Sequence, residues 1–434
     1  MGRVSHGIDR VAVSFDDPNL VANAGLIVTA TLALRLGLER LVNARVRLGG
    51  RVGGALPGRK VMTLVHTIVA GGSHIDHADL LRSGNTAAVL GHRVMAPSTL
   101  GTFLRAFTFG HVRQLEAVVG ETLRRAWTMG SGPGAGRLVA DLDSTICEVA
   151  GRAKQGAAFG YTKVLGYHPI LATRAGTGEV LHARMRKGSA NTARGARRFV
   201  EELVARLRRA GASGEIVLRV DSGFWSNDTI AVLGRLDVRY TMAVRTGNKA
   251  VARAVAAIDE KEWTEIGYTP GGRAQVAETT YRGRRLVVRR TRLTDARQAR
   301  LWPDWRHFAF LTDLDGETAA VDAFHRGHAE VELAIRDLKE GAGMEHVPSG
   351  RFFANGAWLC CAVLAHNLIR WAVTIGEPAD ELVVARTVRT RLVAVPARLV
   401  NRAGTPTLRC PSRWPWASWL TRRLEVLRAL PDTG

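Results

Sequence analysis

Apolar positions recur at helical spacing through Leu26–Val42, Lys60–Ala70 and Leu100–Leu123, which predicts a largely helical first 130 residues. Pro97-Ser98-Thr99 ahead of Leu100 reads as a helix start, with Ser98 or Thr99 as N-cap. Asp79–Leu90 and Ser98–Phe109 are a candidate helix-turn-helix, or equally a plain helical packing pair. The pattern changes after Ser131-Gly-Pro-Gly-Ala-Gly136, which reads as a flexible hinge. Arg137–Asp143, Tyr167–Arg174 and Glu179–Arg186 read as strands, the last two joined by the turn Ala175-Gly-Thr-Gly178. Thr192–Ala210 is amphipathic, with Phe199, Leu203 and Leu207 four apart. A strand over Glu215–Val220, a helix over Asn227–Leu236 and a strand over Tyr240–Arg245 complete this stretch. Three strands, helix, strand, helix, strand suits a mixed sheet flanked by helices.

Gln275–Tyr281 and Arg285–Thr291 alternate as a hairpin turning at Arg282-Gly283-Arg284, inside a segment read as a β-rich insertion. His307–Asp313 resembles a core strand, Asp322–Glu340 a charged amphipathic helix and Ala357–Ile375 a long apolar one. The resulting division is 1–130 helical, 131–245 first part of an α/β core, 246–306 β-rich insertion, 307–375 second part of the core, and 376–434 basic.

Charge sharpens this picture. Over the 434 residues the formal net charge is +22, which favours a polyanionic partner and above all nucleic acid. Only seven of the 61 basic residues are Lys, a bias that a GC-rich genome can impose, but codon bias does not create the excess of positive charge. Residues 381–434 hold ten Arg against Glu381, Glu425 and Asp432; such a tail either tracks a phosphate backbone or is a solvated basic surface. Cys147, Cys360, Cys361 and Cys410 lack zinc-knuckle spacing and read as structural thiols. Met1–Asp17 is too polar for a signal peptide, and Leu20–Leu36 is too short and interrupted for a membrane span, so a cytoplasmic protein is expected.

Three places carry carboxylates at element ends. In Asp141-Leu-Asp143-Ser-Thr145, alternation puts Asp141 and Asp143 on one face of a closing strand, although Asp and Ser are also ordinary turn residues. In Arg219-Val-Asp221-Ser-Gly223-Phe224, Asp221 ends a strand, where ligands gather in sheets with crossover helices. Arg219 shares its face and a structural Arg219–Asp221 pair is the competing reading. On a helix, His325, His328, Glu332, Arg336 and Lys339 form one stripe, opposite Val331, Leu333 and Leu338. One carboxylate among four potential cations suits a metal ligand beside phosphate-binding groups. Phosphodiester transfer needs an activated oxygen nucleophile and a stabilised leaving oxygen, and two Mg²⁺ ions roughly 3.5–4 Å apart supply both through a few hard oxygen ligands.

Taken in order, Asp-Leu-Asp-Ser-Thr, Gly160-Tyr161, Gly166-Tyr167-His168-Pro169 and Arg219-Val-Asp-Ser-Gly-Phe224 resemble the DDE domain of bacterial insertion-sequence transposases. The nearest type is the insertion-sequence family thirteen-eighty, related to family four with its β-rich insertion. The resemblance implies an RNase H-like core behind a helical DNA-binding domain. It implies Asp143 as first carboxylate with Asp141 as rival, Asp221 as second, and Glu332 as third, with Lys339 seven residues on and Glu330 as fallback. It also implies two Mg²⁺ ions (Mn²⁺ substituting), cleavage at terminal inverted repeats, strand transfer into target double-stranded DNA, and a homodimer in the synaptic complex. Lys339, Arg336, His328, His325 and Arg219 are the expected phosphate-contacting groups. His325 and His328 stand where the family usually has Tyr and Arg. Trp302, Trp305 and Trp263 are the candidates for stacking on a flipped base, or else simply pack the insertion. The remaining alternatives are a nuclease of the same fold without strand transfer and a catalytically inactive DNA-binding derivative.

Overall fold

A computed structural model describes residues 8–160, 162–268, 271–293, 305–376 and 383–433. Its centre is a mixed sheet. Strands β1 (Leu138–Ser144), β2 (Ile170–Arg174) and β3 (Val180–Arg184) pair antiparallel in succession. Strand β4 (Ile216–Val220) joins the other side of β1 in parallel, and β5 (Arg239–Val244) lies parallel to β4. The order β3-β2-β1-β4-β5 is a mixed sheet, as the sequence pattern suggests. Val, Leu and Ala fill β1 and β4 because both faces of these central strands are covered.

The β-rich insertion extends this sheet. β6 (Thr264–Ile266), β7 (Gly272–Tyr281), β8 (Arg284–Leu293) and β9 (Arg306–Thr312) continue it antiparallel, β9 pairing with β5, to give nine strands in all among the described residues. The β7–β8 turn is Arg282-Gly283, both at positive φ (51° and 71°), which matches a two-residue hairpin turn with the twist of its strands.

Helices of the first 130 residues are α1 (Leu26–Arg35), α2 (Leu38–Arg45), α3 (Pro57–Val69), α4 (Pro97–Arg105) and α5 (Phe109–Ala126), with one-turn pieces between α3 and α4. The periodic run Leu26–Val42 is two helices, broken at Gly37 with φ 59°. Leu100–Leu123 is likewise broken ahead of α5, where Thr108 and His111 form a capping box. The Asp79–Leu90 half of the candidate helix-turn-helix is split into Ala78–Arg82 and Thr86–Leu90 by Gly84. A Cβ at Gly84 would sit 2.1 Å from the Leu20 carbonyl oxygen.

After α6 (Ala196–Ala210) and α7 (Asn227–Arg235), the charged stretch forms α8 (Thr318–Arg326), a 3₁₀ turn Gly327–Ala329 and α9 (Glu330–Gly341), not one continuous helix. The long apolar helix is α10 (Phe352–Thr374), almost wholly buried between α1, α3, α4 and α5 on one side and edge strand β3 on the other. It is the one helix among the described residues long and apolar enough to cross a membrane, and it serves here as the central core helix. Asn367 on α10 accepts from Val180 N at 2.8 Å and donates to Val180 O at 2.9 Å, so a side-chain amide completes the outer edge of β3. Arg370 on α10 pairs with Asp337 on α9 at 2.9 Å, tying the central helix to the helix that carries Glu332.

Candidate active site

Parallel β1 and β4 are in register through Leu142 and Val220, so the next residues, Asp143, still paired with Leu171 of β2, and Asp221, just past the end of β4, come side by side. Asp143 accepts from Ser144 N at 2.6 Å. His168 holds that Ser144 through its hydroxyl at 2.9 Å, while its other ring nitrogen meets Ala190 O at 2.8 Å. Asp221 caps a 3₁₀ turn by accepting from Gly223 N at 3.2 Å. A Cβ on Gly223 would meet Thr192 at 2.7 Å, so glycine is required there for space.

Helix α9 brings the third carboxylate. Glu332 and Asp143 line one cleft of about 270 Å³ together with Thr145, Arg336, Lys339 and Glu345. The Asp143 carboxyl is pushed up to about 6, mainly by burial, with Asp221 and Glu332 adding repulsion and the Ser144 amide and His328 opposing it. Lys339 reaches Ile146 O at 3.1 Å. On the Asp221 side a wider groove of about 920 Å³ opens between Phe159, Asn191, Thr192, Trp225, Arg245 and Asn248.

Asp141 has a different part. It is 1% exposed, receives Arg219 Nε and Nη2 at 2.7 Å each, and meets His328 Nδ1 at 2.8 Å. Arg219 gives its remaining nitrogen to Phe324 O at 3.0 Å. The expected phosphate-contacting role of Arg219 is therefore corrected, and so is the competing Arg219–Asp221 pair, because the parallel register sets Arg219 opposite Asp141. His325 is corrected too: it bonds Thr241 Oγ1 at 2.7 Å and stacks on Phe310 at 4.1 Å, and burial above all holds it down at about 3, neutral. His328 spends one nitrogen on Asp141, so this stretch anchors the helix to the sheet. Val331 and Leu338 are buried as expected, but Leu333, also expected toward the core, is 47% exposed, and Ala334 and Ile335 are buried in its place. Glu330 turns away from the Asp143 cleft and accepts from Gly176 N at 3.1 Å.

The Arg290 guanidinium lies 4.1 and 4.5 Å from the ring centres of Trp263 and Trp305, and Arg290 also pairs with Glu260 at 2.6 Å. Packing around a cation occupies both rings. Trp302 lies outside the described residues.

A hard divalent cation fits Asp143, Asp221 and Glu332: all three are oxygen donors, and the burial and neighbouring carboxylates that disfavour the ionised Asp143 are what a cation would offset. The tightest His–carboxylate group among the described residues, Glu116, His182 and Glu202, does not fit one. Arg184 bonds both glutamates, at 2.9 and 2.5 Å, and Arg113 and Arg198 add further pairs, so the negative charge there is already neutralised. The groups that sequence reasoning missed are His168 and the groove residues Trp225, Asn191, Thr192 and Asn248. His168 lies in the quoted Gly-Tyr-His-Pro motif, whereas the groove residues have no signal short of the fold.

A piggyBac transposase synaptic complex with hairpin DNA, solved by cryo-electron microscopy, is similar in structure at 14% identity and a TM-score of 0.45, over 86% of this chain and 79% of that one. No curated protein matches the chain. The family model described as "Transposase DDE domain group 1" matches residues 5–432, nearly the whole length, and the chain belongs to that family of DDE transposases.

Proposed function

We propose that this chain carries out cut-and-paste DNA transposition: metal-dependent cleavage at transposon ends, then strand transfer of the freed ends into target DNA. The observation that carries the proposal is the proximity of Asp143 to Glu332 in one cleft and to Asp221 at the end of the paired strand β4, both carboxylates adding to the burial that holds the Asp143 carboxyl at about 6. In this reading the three carboxylates are the catalytic, metal-holding residues, and they take two Mg²⁺ ions or Mn²⁺ in their place. Ions bound there activate the attacking oxygen and stabilise the leaving one. A cation held there would favour the ionised form of Asp143, and Asp221 is aimed by the Gly223 amide. Arg336 and Lys339, one and two turns along from Glu332, hold phosphates of the cleaved strand at the same cleft. Asp141, Arg219 and His328 keep α9 in register with β1 and act as positioning residues.

Residues 1–130 are the proposed DNA-binding domain for terminal inverted repeats. Residues 131–245 and 307–375 are the two parts of the catalytic core, 246–306 the insertion and 376–434 a basic C-terminal region. Synapsis of two ends calls for a homodimer on DNA in a cytoplasmic, nucleoid-associated setting with no membrane partner. The thirteen-eighty subtype rests on the sequence motifs.

The test is Mg²⁺-dependent cleavage and joining of the element's terminal DNA by wild type, Asp221→Ala and Glu332→Ala. Wild type is expected to produce cut and joined products, and both variants to bind DNA with activity down at least about 10³-fold, the scale set by loss of a metal-centred transition-state contact. Variants that cut normally would show the site to be misplaced. Wild-type cutting without joining would identify a nuclease, and binding without cutting an inactive derivative.

A further inference from the structure

The basic C-terminal region contains a two-stranded ribbon that the catalytic site does not use. Ala397–Arg402 and Thr405–Arg409 pair antiparallel, turning at Ala403-Gly404 with both residues at positive φ. The free edge of the first strand is covered in part by Leu20–Val21. Cross-strand register sorts the side chains. Arg398 faces Arg409, Val400 faces Thr407 and Arg402 faces Thr405, so these six share one side. Leu399 and Leu408 share the other and pack with Val89 on Val21, Ala24 and Ala397.

The side without an apolar neighbour is thus three arginines and two threonines around one valine. Arg398, Arg402 and Arg409 are all exposed. Arg398 has Asp17 at 3.2 Å; Arg402 and Arg409 have no ion-pair partner among the described residues. Two like charges directly across a ladder destabilise a ribbon in isolation. Pro406 removes one N–H from the outer strand, which makes that edge a poor template for another protein strand. Charge favours a polyanion, and the shape selects its form: the major groove of duplex DNA admits a two-stranded ribbon, with guanidinium and hydroxyl donors turned to phosphates and base edges.

We propose that the Arg398–Arg402–Arg409 face of this ribbon docks into the major groove of duplex DNA, as a contact surface separate from the carboxylate cleft. The proposal rests on the DNA-transposing function above, and names where a duplex outside the cleaved ends is held.

The experiment measures affinity of the full chain for a terminal inverted-repeat duplex by fluorescence anisotropy over a salt series. Wild type is compared with the Arg398→Ala, Arg402→Ala, Arg409→Ala triple variant and with the Arg402→Ala, Arg409→Ala double. Three lost phosphate or groove contacts should weaken binding about 10-fold or more and flatten the slope of log K against log salt by about 0.9 per contact. Thermal unfolding checks that each variant is folded; the double variant touches only exposed positions and carries the test should the triple melt early. Wild-type affinity and slope in the folded double variant would overturn the ribbon assignment and leave the proposed function standing. Failure of wild type to bind the duplex better than heparin of equal charge would overturn both.

Discussion

Two aspartates two positions apart, Asp141 and Asp143, differ in their surroundings. Asp141 sits within a strand, buried, with Arg219 and His328 satisfying its oxygens. Asp143 sits at the strand end, with carboxylates for neighbours. Removing Asp141 strands a buried guanidinium, so Asp141→Ala should cost about 3–5 kcal/mol, the usual penalty for breaking a buried pair. Asp143→Asn should behave in the opposite way. A folded-state value of about 6 against an ordinary 3.8 means that the site disfavours the ionised form, and stability is lost as pH rises from about 4 to about 6. The neutral amide removes that loss. Melting of Asp143→Asn at pH 7 should therefore match or exceed wild type, while any Mg²⁺-induced rise in melting temperature should vanish. Equal destabilisation by the two substitutions would contradict this division of roles. Sequence alternation correctly set both residues on one face, but could not choose between them, because the choice depends on what β4 and α9 bring alongside.

At the scale of elements, the connection that matters most is the 3₁₀ turn Gly327–Ala329 between α8 and α9. Periodicity indicated one helix over this stretch, since a 3₁₀ turn disturbs the apolar stripe too little to be visible. Arg219 supplies the reason for a glycine here: a Cβ on Gly327 would lie 2.2 Å from its Nη1. Gly327 adopts an ordinary negative φ, so space and not backbone freedom is at stake. Gly327→Ala should push the guanidinium off Asp141 and shift Glu332, five residues on. We expect a loss of about 1–3 kcal/mol from overpacking together with a drop in DNA cleavage larger than that in DNA binding. Unchanged melting and cleavage would mean that Arg219 has room to relax. The insertion shows a similar limit. Its hairpin was legible from alternation and the Arg-Gly turn, but its continuity with the central sheet depends on β9 pairing with β5.

For the whole molecule, burial of neutral histidines gives a global consequence. His66, His182, His325 and His366 come from the N-terminal helices, the edge strand, α8 and the central helix, and each is lowered to about 3, chiefly by burial. The unfolded chain takes up those protons near pH 6.5 and the folded chain does not. Stability from this source is complete above pH 6.5 and falls as pH drops toward 3. Melting temperature should decline steeply from pH 7.5 to pH 5, with proton uptake on unfolding. Self-repulsion from the +22 charge acts in the same direction, but added salt screens it and leaves the histidine effect largely intact. A melting temperature independent of pH at high salt would show that these rings are not held neutral.

The sequence alone determined most of the order of helices and strands, the excess of positive charge, and the three carboxylate-bearing motifs around Asp141 and Asp143, Asp221, and Glu330 and Glu332. These are local properties: periodicity, composition and motif order are written along the chain and survive without knowledge of its path. The tertiary structure decided which polar residues face the cleft and which hold it in place. Arg219, His325 and His328 read as phosphate ligands on a helical stripe and a strand face, yet pairing across β1, β4, β5, α8 and α9 commits their donors to Asp141, Phe324 and Thr241. A polar side chain's role depends on its nearest partner in space, and for these residues that partner lies between 78 and 187 positions away in the chain.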